Sequence, residues 1–375
     1  MSLPRLSMKV HILFPLLGVM VFSGCPEGPD GPAPPDAGDL ELREPMEAPA
    51  GTWTYVPFLR TRCMSGSPAG LGINLSPDSD RLLIYLQEGG ACWDALSCLM
   101  TVNVDGFSQG DFDAFIQSRG RRGHFNRDDP SNPFADWNHV FVPYCSGDVH
   151  GGANPEGPGG RIHMGARNMD QFLERILLTF PHVRQVVLAG SSAGGVGAAL
   201  NFDRVQRAFG EVPVSLLDDS GPVMSDTYLR PCLQQVWRDA WNLDASLPED
   251  CEVCRSGSGG LSEALRFVAR KYPDRRMGII LSNRDSIFRN FFGFGAGECT
   301  AWEPMDGVTF REGSMELRDT LLAEHPNVRI YMMDSEHHVW LWQTPLSRLV
   351  NDGVPLSTWI QQLVEGDPGW DHVGP

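Results

Sequence analysis

Six short apolar runs recur along the chain, and each ends in polar or glycine-rich residues. The runs cover residues 82–86, 139–144, 185–189, 213–217, 277–281 and 328–333. Near-continuous apolar runs of this length are typical of strands buried on both faces of a sheet. The pattern therefore predicts six buried strands whose polar ends meet at one edge of that sheet.

Amphipathic segments separate several of these runs and predict helices. They cover Arg167–Thr179, Val196–Phe209, Leu261–Lys271 and the shorter Leu317–Glu324. Strands that alternate with helices indicate an α/β fold, with a mostly parallel central sheet and helices on both faces. Open sheets of this kind bind ligands at the carboxyl ends of their strands.

The third run leads directly into Gly190–Gly195, which reads G-S-S-A-G-G. This is the G-x-S-x-G pattern of a nucleophile elbow, in which a serine stands on a tight strand-to-helix turn. The small neighbours leave room for the turn, and the Ala193 N–H points where an oxyanion would form. We predict Ser192 as the nucleophile. A small-residue turn that packs a helix against the sheet is the alternative.

A nucleophilic serine needs a base and an acid, which follow it in the order Asp or Glu, then His. We favour Asp285 as the acid and His337 as the base, because each follows a later strand. His338 is adjacent, and only one of two neighbouring histidines can face Ser192. Other carboxylates that compete for the acid are Asp218, Asp219, Asp334 and Glu336.

The segment E-G-G-A-C-W at residues 88–93 follows the first run and fits an oxyanion loop. We predict backbone donors at Gly90 and Ala91, which would act together with Ala193. A Cys92–Cys98 disulfide would staple this loop. The alternative is a plain Gly-Gly turn.

Acidic residues outnumber basic ones by 47 to 30, and the net charge is −17. A nucleic-acid-binding protein normally carries a basic footprint, so this class is disfavoured. The run Arg119–Arg122 is the one obvious basic cluster, and a solvated loop explains it equally well.

The N-terminus has the features of an export signal. Arg5 and Lys9 precede the short apolar run Val10–Phe22, and Cys25 follows small residues as in a bacterial lipobox. We predict a signal peptide over residues 1–25 with lipidation at Cys25, a disordered Pro-rich acidic tether over 26–51, and one domain over 52–375. The protein is then exported and contacts the membrane through that anchor alone, as a lipoprotein of a bacterial cell envelope. An ordinary cleaved signal and secretion are the alternative.

Eight cysteines remain after Cys25, and an even number in an exported protein predicts up to four disulfides. Cys251 and Cys254 form a C-x-x-C pair, for which half of a zinc site or a redox pair is the weaker reading. We predict no metal ion and no cofactor.

Taken together, the motifs resemble the pectin acetylesterase/Notum family of carboxylesterases. The resemblance rests on short segments spread from about residue 52 to about residue 359: residues 87–93 with Cys98, 144–148, 190–195, Asn201 with Asp203, 219–221, and 336–337. It implies an α/β-hydrolase-like fold and metal-free ester hydrolysis by a Ser-Asp-His triad. One branch of the family acts on O-acetyl groups of polysaccharides, and another acts on a fatty acyl ester of a secreted protein.

Two features depart from the family pattern. Glu88 stands where the family commonly has a third glycine, and its charge would oppose an oxyanion unless it points away or pairs with a cation. The segment from Cys232 to Cys254 has no close match and is interpreted as a lid or an inserted loop.

We therefore predict an exported serine carboxylesterase that hydrolyses O-acyl esters, in particular O-acetyl esters on polysaccharide. Four tryptophans are candidates for stacking on sugar rings: Trp93, Trp302, Trp340 and Trp342. Two rival functions are a peptidase or acyltransferase with the same triad, and an inactive cell-surface binding protein on a hydrolase scaffold.

Overall fold

The computed structural model describes residues 44–255 and 259–375. The predicted signal peptide, the lipidation site at Cys25 and residues 26–43 of the predicted tether lie outside the described residues. No helix within the described ranges is long and apolar enough to cross a membrane.

Eight strands form one sheet in the order β1-β2-β4-β3-β5-β6-β7-β8. Their bounds are β1 Thr54–Phe58, β2 Ala69–Asn74, β3 Arg81–Leu86, β4 Asn138–Val142, β5 Gln185–Ser191, β6 Val214–Asp219, β7 Met277–Ser282 and β8 Val328–Met333. Strands β3 to β8 pair in parallel, whereas β1 and β2 form an antiparallel edge beside β4. The six predicted strands are β3 to β8, so the α/β class with a mostly parallel sheet is confirmed. The two strands of a small hairpin complete the set: β9 Val350–Asn351 and β10 Val354–Pro355.

Helices flank the sheet. Their bounds are α1 Ala95–Cys98, α2 Gln109–Arg119, α3 Gly165–Thr179, α4 Ala193–Phe209, α5 Pro231–Trp241, α6 Ser262–Lys271, α7 Ser286–Phe292, α8 Ala296–Cys299, α9 Gly307–Glu316 and α10 Leu356–Glu365. A π-helical turn covers Leu317–Leu321, and 3₁₀ turns cover Gly123–Phe125, Pro158–Gly160, Leu243–Ala245, Val253–Arg255, Gly293–Gly295 and Leu346–Arg348. Three predicted helices are α3, α4 and α6, while the helix predicted at Leu317–Glu324 is the end of a segment that begins at Gly307.

The hydrophobic core surrounds the central strands, because their side chains are buried on both faces of the sheet. Every residue of β5 after Gln185 is buried, as is every residue of β6 and β7. The parallel arrangement brings the ends of β3, β5, β6, β7 and β8 to one edge. The candidate catalytic residues lie in the loops at that edge.

The folded chain begins earlier than the predicted boundary at residue 52. The Met46 side chain is buried, and its backbone N–H donates a hydrogen bond to Thr179 Oγ1 at 2.9 Å. Ala50 forms an isolated parallel bridge with Leu75. The last residues assigned to the tether therefore pack on the domain, because one methionine among the prolines has apolar surface to bury.

Four disulfides cross-link the domain: Cys63–Cys145, Cys92–Cys98, Cys232–Cys299 and Cys251–Cys254. They pair all eight cysteines that follow Cys25, so the predicted disulfide framework and the Cys92–Cys98 staple are confirmed. The C-x-x-C pair is oxidised, and the described residues contain no cluster of potential metal ligands.

Candidate active site

The turn between β5 and α4 has the backbone shape of a nucleophile elbow. Ser192 lies on this turn with φ 55° and ψ −119°, a conformation that non-glycine residues rarely adopt. A Cβ on Gly190 would come within 2.1 Å of the Gly194 carbonyl oxygen, and a Cβ on Gly194 within 2.1 Å of the Leu86 carbonyl oxygen. The two glycines are therefore required for the close approach of β5, α4 and the end of β3.

Helix α4 begins at Ala193, the residue after Ser192. The first four N–H groups of a helix have no partner inside it, and the helix dipole favours negative charge at that end. The Ala193 N–H is therefore available beside the serine, as the sequence predicts for an oxyanion donor.

Asp285 lies at the start of α7, three residues after the end of β7. Its Oδ1 caps the helix by accepting hydrogen bonds from the N–H groups of Ile287 at 2.9 Å and Phe288 at 3.0 Å. Its Oδ2 lies 2.7 Å from Nδ1 of His338. The carboxylate is buried, and the helix cap fixes the oxygen that faces the histidine.

His338, and not His337, is the histidine that pairs with Asp285. The predicted pairing of Asp285 with His337 is therefore corrected. A neutral ring that donates from Nδ1 to a carboxylate has its Nε2 free to accept a proton, which is the arrangement a general base needs. The His338 ring also packs against Phe288, with ring centroids 5.8 Å apart.

His337 points elsewhere. Its Nε2 lies 3.0 Å from Nε2 of Gln343, and its ring packs edge-on against Trp340. Adjacent residues on an extended segment face opposite ways, so the contact between His338 and Asp285 turns His337 outward.

The competing carboxylates have other partners. Asp334 accepts hydrogen bonds from Asn283 and Arg284, and Glu336 lies near Arg289. Asp218 and Asp219 are buried at the end of β6. Burial raises the pKa of both, and that of Asp218 well above its ordinary value because the Asp219 charge adds to the effect. Asp285 alone of these carboxylates has a hydrogen bond to a histidine ring among the described contacts.

Gly90 and Ala91 face the same cavity as Ser192 and Ala193. Gly90 has φ +79°, and a Cβ there would come within 2.3 Å of the Met100 carbonyl oxygen, so the position requires glycine. Its carbonyl oxygen accepts a hydrogen bond from the Tyr144 hydroxyl at 2.9 Å. This contact fixes the peptide between Gly90 and Ala91.

The carboxylate of Glu88 is paired with a cation. Its Oε1 lies 3.0 Å from Nη1 of Arg119, and its Oε2 accepts a hydrogen bond from the Tyr85 hydroxyl at 3.2 Å. The Arg119 guanidinium also stacks over Trp342, at 5.0 Å from the ring centroid. The charge that departs from the family pattern is thus balanced by an arginine from α2.

An apolar cavity opens beside Ser192. The loop of Gly90 and Ala91 and the start of α4 form one side of it. The remaining walls are Val149, Val196, Leu200, Pro222, Val223, Leu229, Trp237, Trp241, Leu243, Leu261, Phe288, Phe291 and Phe292.

Three of the walls come from the segment that follows Cys232: Trp237 and Trp241 on α5, and Leu243 after it. The segment from Cys232 to Cys254, interpreted from the sequence as a lid or an inserted loop, is thus part of the cavity wall. Sequence reasoning did not identify these residues, although the spacing of the two tryptophans, four apart on a helix, places them on one face. Of the tryptophans considered for sugar stacking, Trp93, Trp340 and Trp342 are buried and Trp302 is exposed.

The model of the pectinacetylesterase family matches residues 56–259, more than half of the 375-residue chain. The chain belongs to the pectinacetylesterase family.

Relatives of this pectinacetylesterase-family chain include the palmitoleoyl-protein carboxylesterase NOTUM of two animals. The protein of Schmidtea mediterranea is 33% identical over 153 residues, which are 39% of this chain and 28% of that protein. The protein of Mus musculus is 32% identical over 169 residues, which are 42% of this chain and 33% of that protein. The matched part of the chain thus spans about a third of the length of these relatives. The family and the relatives are, by name, carboxylic ester hydrolases.

A solved structure of the Wnt deacylase Notum from Drosophila has the same fold. It aligns with a TM-score of 0.59 and 21% sequence identity, over 84% of this chain and 93% of that chain. The α/β-hydrolase-like architecture of the pectinacetylesterase-family chain is therefore shared along most of its length.

Proposed function

We propose that this chain is a serine carboxylesterase with Ser192 as nucleophile, His338 as general base and Asp285 as the acid that orients it. Ser192 stands on a strained, glycine-framed turn. The hydrogen bond between Asp285 and His338 supports the base and the acid.

The proposed reaction follows from these positions. Ser192 Oγ attacks the ester carbonyl carbon while Nε2 of His338 takes the hydroxyl proton. The N–H groups of Gly90, Ala91 and Ala193 stabilise the oxyanion of the tetrahedral intermediate. His338 then protonates the departing alcohol. Water, activated by the same ring, attacks the acyl-serine and releases the acid.

The proposed substrate class is inferred from the apolar cavity beside Ser192. An acyl group attached to Ser192 would extend from the oxyanion loop into walls of leucine, phenylalanine and tryptophan. An acetyl group has one methyl group to bury and would contact few of the thirteen remaining wall residues. We therefore propose an acyl chain longer than the acetyl group expected from the sequence.

The domain is proposed to act outside the cytoplasm. Four disulfides form and persist in oxidising compartments. Lipidation at Cys25 and the tether that follows it stay predictions from the sequence.

The decisive experiment combines active-site labelling with a series of esters. A fluorophosphonate should label the purified domain and should not label Ser192→Ala. Nitrophenyl esters from acetate to longer chains, kept below their micelle concentrations, should show kcat/KM rising with length. Each buried CH₂ contributes about 0.8 kcal/mol, or up to about fourfold in kcat/KM.

Each alternative has its own outcome in this experiment. An unlabelled wild-type domain that hydrolyses no ester would indicate the inactive binding protein. A maximum at acetate would restore the acetylesterase reading. Cleavage of matched amides with a kcat/KM approaching that of the esters would indicate a peptidase.

A further inference from the structure

Asp219, the last residue of β6, has a fully buried carboxylate that accepts several hydrogen bonds. Ser191 Oγ donates to Oδ2 at 2.7 Å, the Trp340 N–H lies 2.9 Å from both oxygens, and the Leu341 N–H donates to Oδ2 at 3.0 Å. Both oxygens therefore act as acceptors, and one side chain joins the end of β5 to the segment that follows β8.

The main chain of the same residue contacts the nucleophile turn. The Ser192 N–H donates a hydrogen bond to the Asp219 carbonyl oxygen at 2.7 Å. Trp340, which is bound by the carboxylate, is two residues after His338. The carbonyl oxygen of Asp219 thus binds the turn that contains the proposed nucleophile. The carboxylate of Asp219 binds the segment that contains the proposed base.

The three segments that meet at Asp219 each contain a non-glycine residue with positive φ. The values are 55° for Ser192, 59° for Ser220 and 59° for Val339, and the Val339 N–H donates to Ser220 Oγ at 3.2 Å. Such conformations are energetically unfavourable and persist where the surroundings impose them. The hydrogen bonds of Asp219 and Ser220 are the contacts that impose them here.

We propose that Asp219 is a positioning residue of the esterase, which sets the Ser192 turn and the His338 segment at the distance and orientation that proton transfer requires. The inference rests on the proposed triad. Asp219 does not line the cavity, so it acts through the two residues that it holds.

The charged and titratable groups that face Asp219 are Tyr85 on β3, Asp218 on β6 and His338. Burial raises the pKa of the Tyr85 hydroxyl and that of the Asp218 carboxyl, which favours the neutral form of both.

The variant Asp219→Asn tests this role. Its amide NH₂ takes the place of one carboxylate oxygen and must face backbone N–H donors, from which it cannot accept hydrogen bonds. Displacement of a reacting group by about 1 Å can cost about 100-fold in rate. We expect kcat for the preferred ester to fall about 100-fold and KM to change less than about threefold.

The matched control is Asp218→Asn, which changes the adjacent buried carboxyl. Asp218 Oδ1 has no hydrogen-bond partner, and Asp218 contacts neither Trp340 nor Leu341 by hydrogen bonding among the described contacts. Its kcat should stay within about threefold of wild type. Wild-type kcat in folded Asp219→Asn would overturn the proposal, and so would an equal loss in both variants.

Circular dichroism and thermal unfolding identify a variant that does not fold. In that case Ser191→Ala, which removes one donor to the carboxylate, takes the place of Asp219→Asn. It should lower kcat about tenfold at unchanged KM, and kcat within twofold of wild type would contradict the proposal. Failure of the proposed function is distinguishable, because it appears as an inactive, unlabelled wild-type domain.

Discussion

Nδ1 of His338 and Oδ2 of Asp285 are 2.7 Å apart, and the other oxygen of the same carboxylate caps α7. The pair is thereby held in one orientation from both sides. We expect His338→Ala to lower kcat by at least about 1,000-fold, because the nucleophile loses its base. Steady-state hydrolysis of the preferred ester measures this loss.

His337→Ala is the matched control, since it removes the neighbouring ring and retains the Asp285 contact. Its kcat should stay within about threefold of wild type. The reverse order of the two effects would return the role of base to His337.

The choice between the two histidines could not be made from the sequence, because tertiary contacts decide it. The turn after them has Val339 at φ 59°, and Asp219 from a distant strand binds the N–H groups of Trp340 and Leu341. These contacts orient His338 toward Asp285. Local patterns include no signal for them.

The buried strands were predictable because each is apolar along its whole length, and the serine because its glycine frame is local. The edge strands β1 and β2 were not predictable from the sequence. β2 reads A-G-L-G-I-N, and a Cβ on Gly72 would come within 2.3 Å of the Phe112 ring. Its glycine serves a contact with α2, which the strand sequence itself does not reveal.

Loss of the ion pair between Glu88 and Arg119 should lower the activity, and removal of the Glu88 charge should then restore it. Arg119→Met retains a side chain of similar length over Trp342 and leaves Glu88 unpaired beside the oxyanion loop. We expect kcat/KM to fall about three- to tenfold, a modest effect because both side chains are partly exposed. Steady-state kinetics at low ionic strength measures it.

The double variant Arg119→Met/Glu88→Gln tests the cause. Removal of the unpaired charge should restore most of the lost kcat/KM. A double variant as slow as Arg119→Met would show that Arg119 acts through packing and not through the charge of Glu88.

The cavity predicts a shift in chain-length preference. Leu229 is a buried wall residue, and Leu229→Phe adds volume there. We expect kcat/KM for the longest accepted ester to fall about tenfold or more, while short esters are hydrolysed at nearly the wild-type rate. The ester series measures the profile.

Leu233→Phe is the matched control, because Leu233 is equally buried and is not a wall of the cavity. Overpacking should cost each variant about 1–3 kcal/mol of stability, but only Leu229→Phe should change the preferred length. An identical profile in both variants would place the acyl chain elsewhere.

His124 predicts a loss of stability in acid. It is buried among Tyr85, Phe125 and Trp342, and burial lowers its pKa from 6.5 to about 3. The unfolded chain therefore binds a proton between these two pH values and the folded chain does not. The stability from this group is complete above pH 6.5 and falls by about 1.4 kcal/mol per pH unit toward pH 3.

Urea unfolding at pH 7.5 and pH 5 should show a weaker pH dependence in His124→Gln than in wild type. His182→Gln, which changes an exposed histidine, should retain the wild-type dependence, and an equal dependence in all three proteins would contradict the prediction.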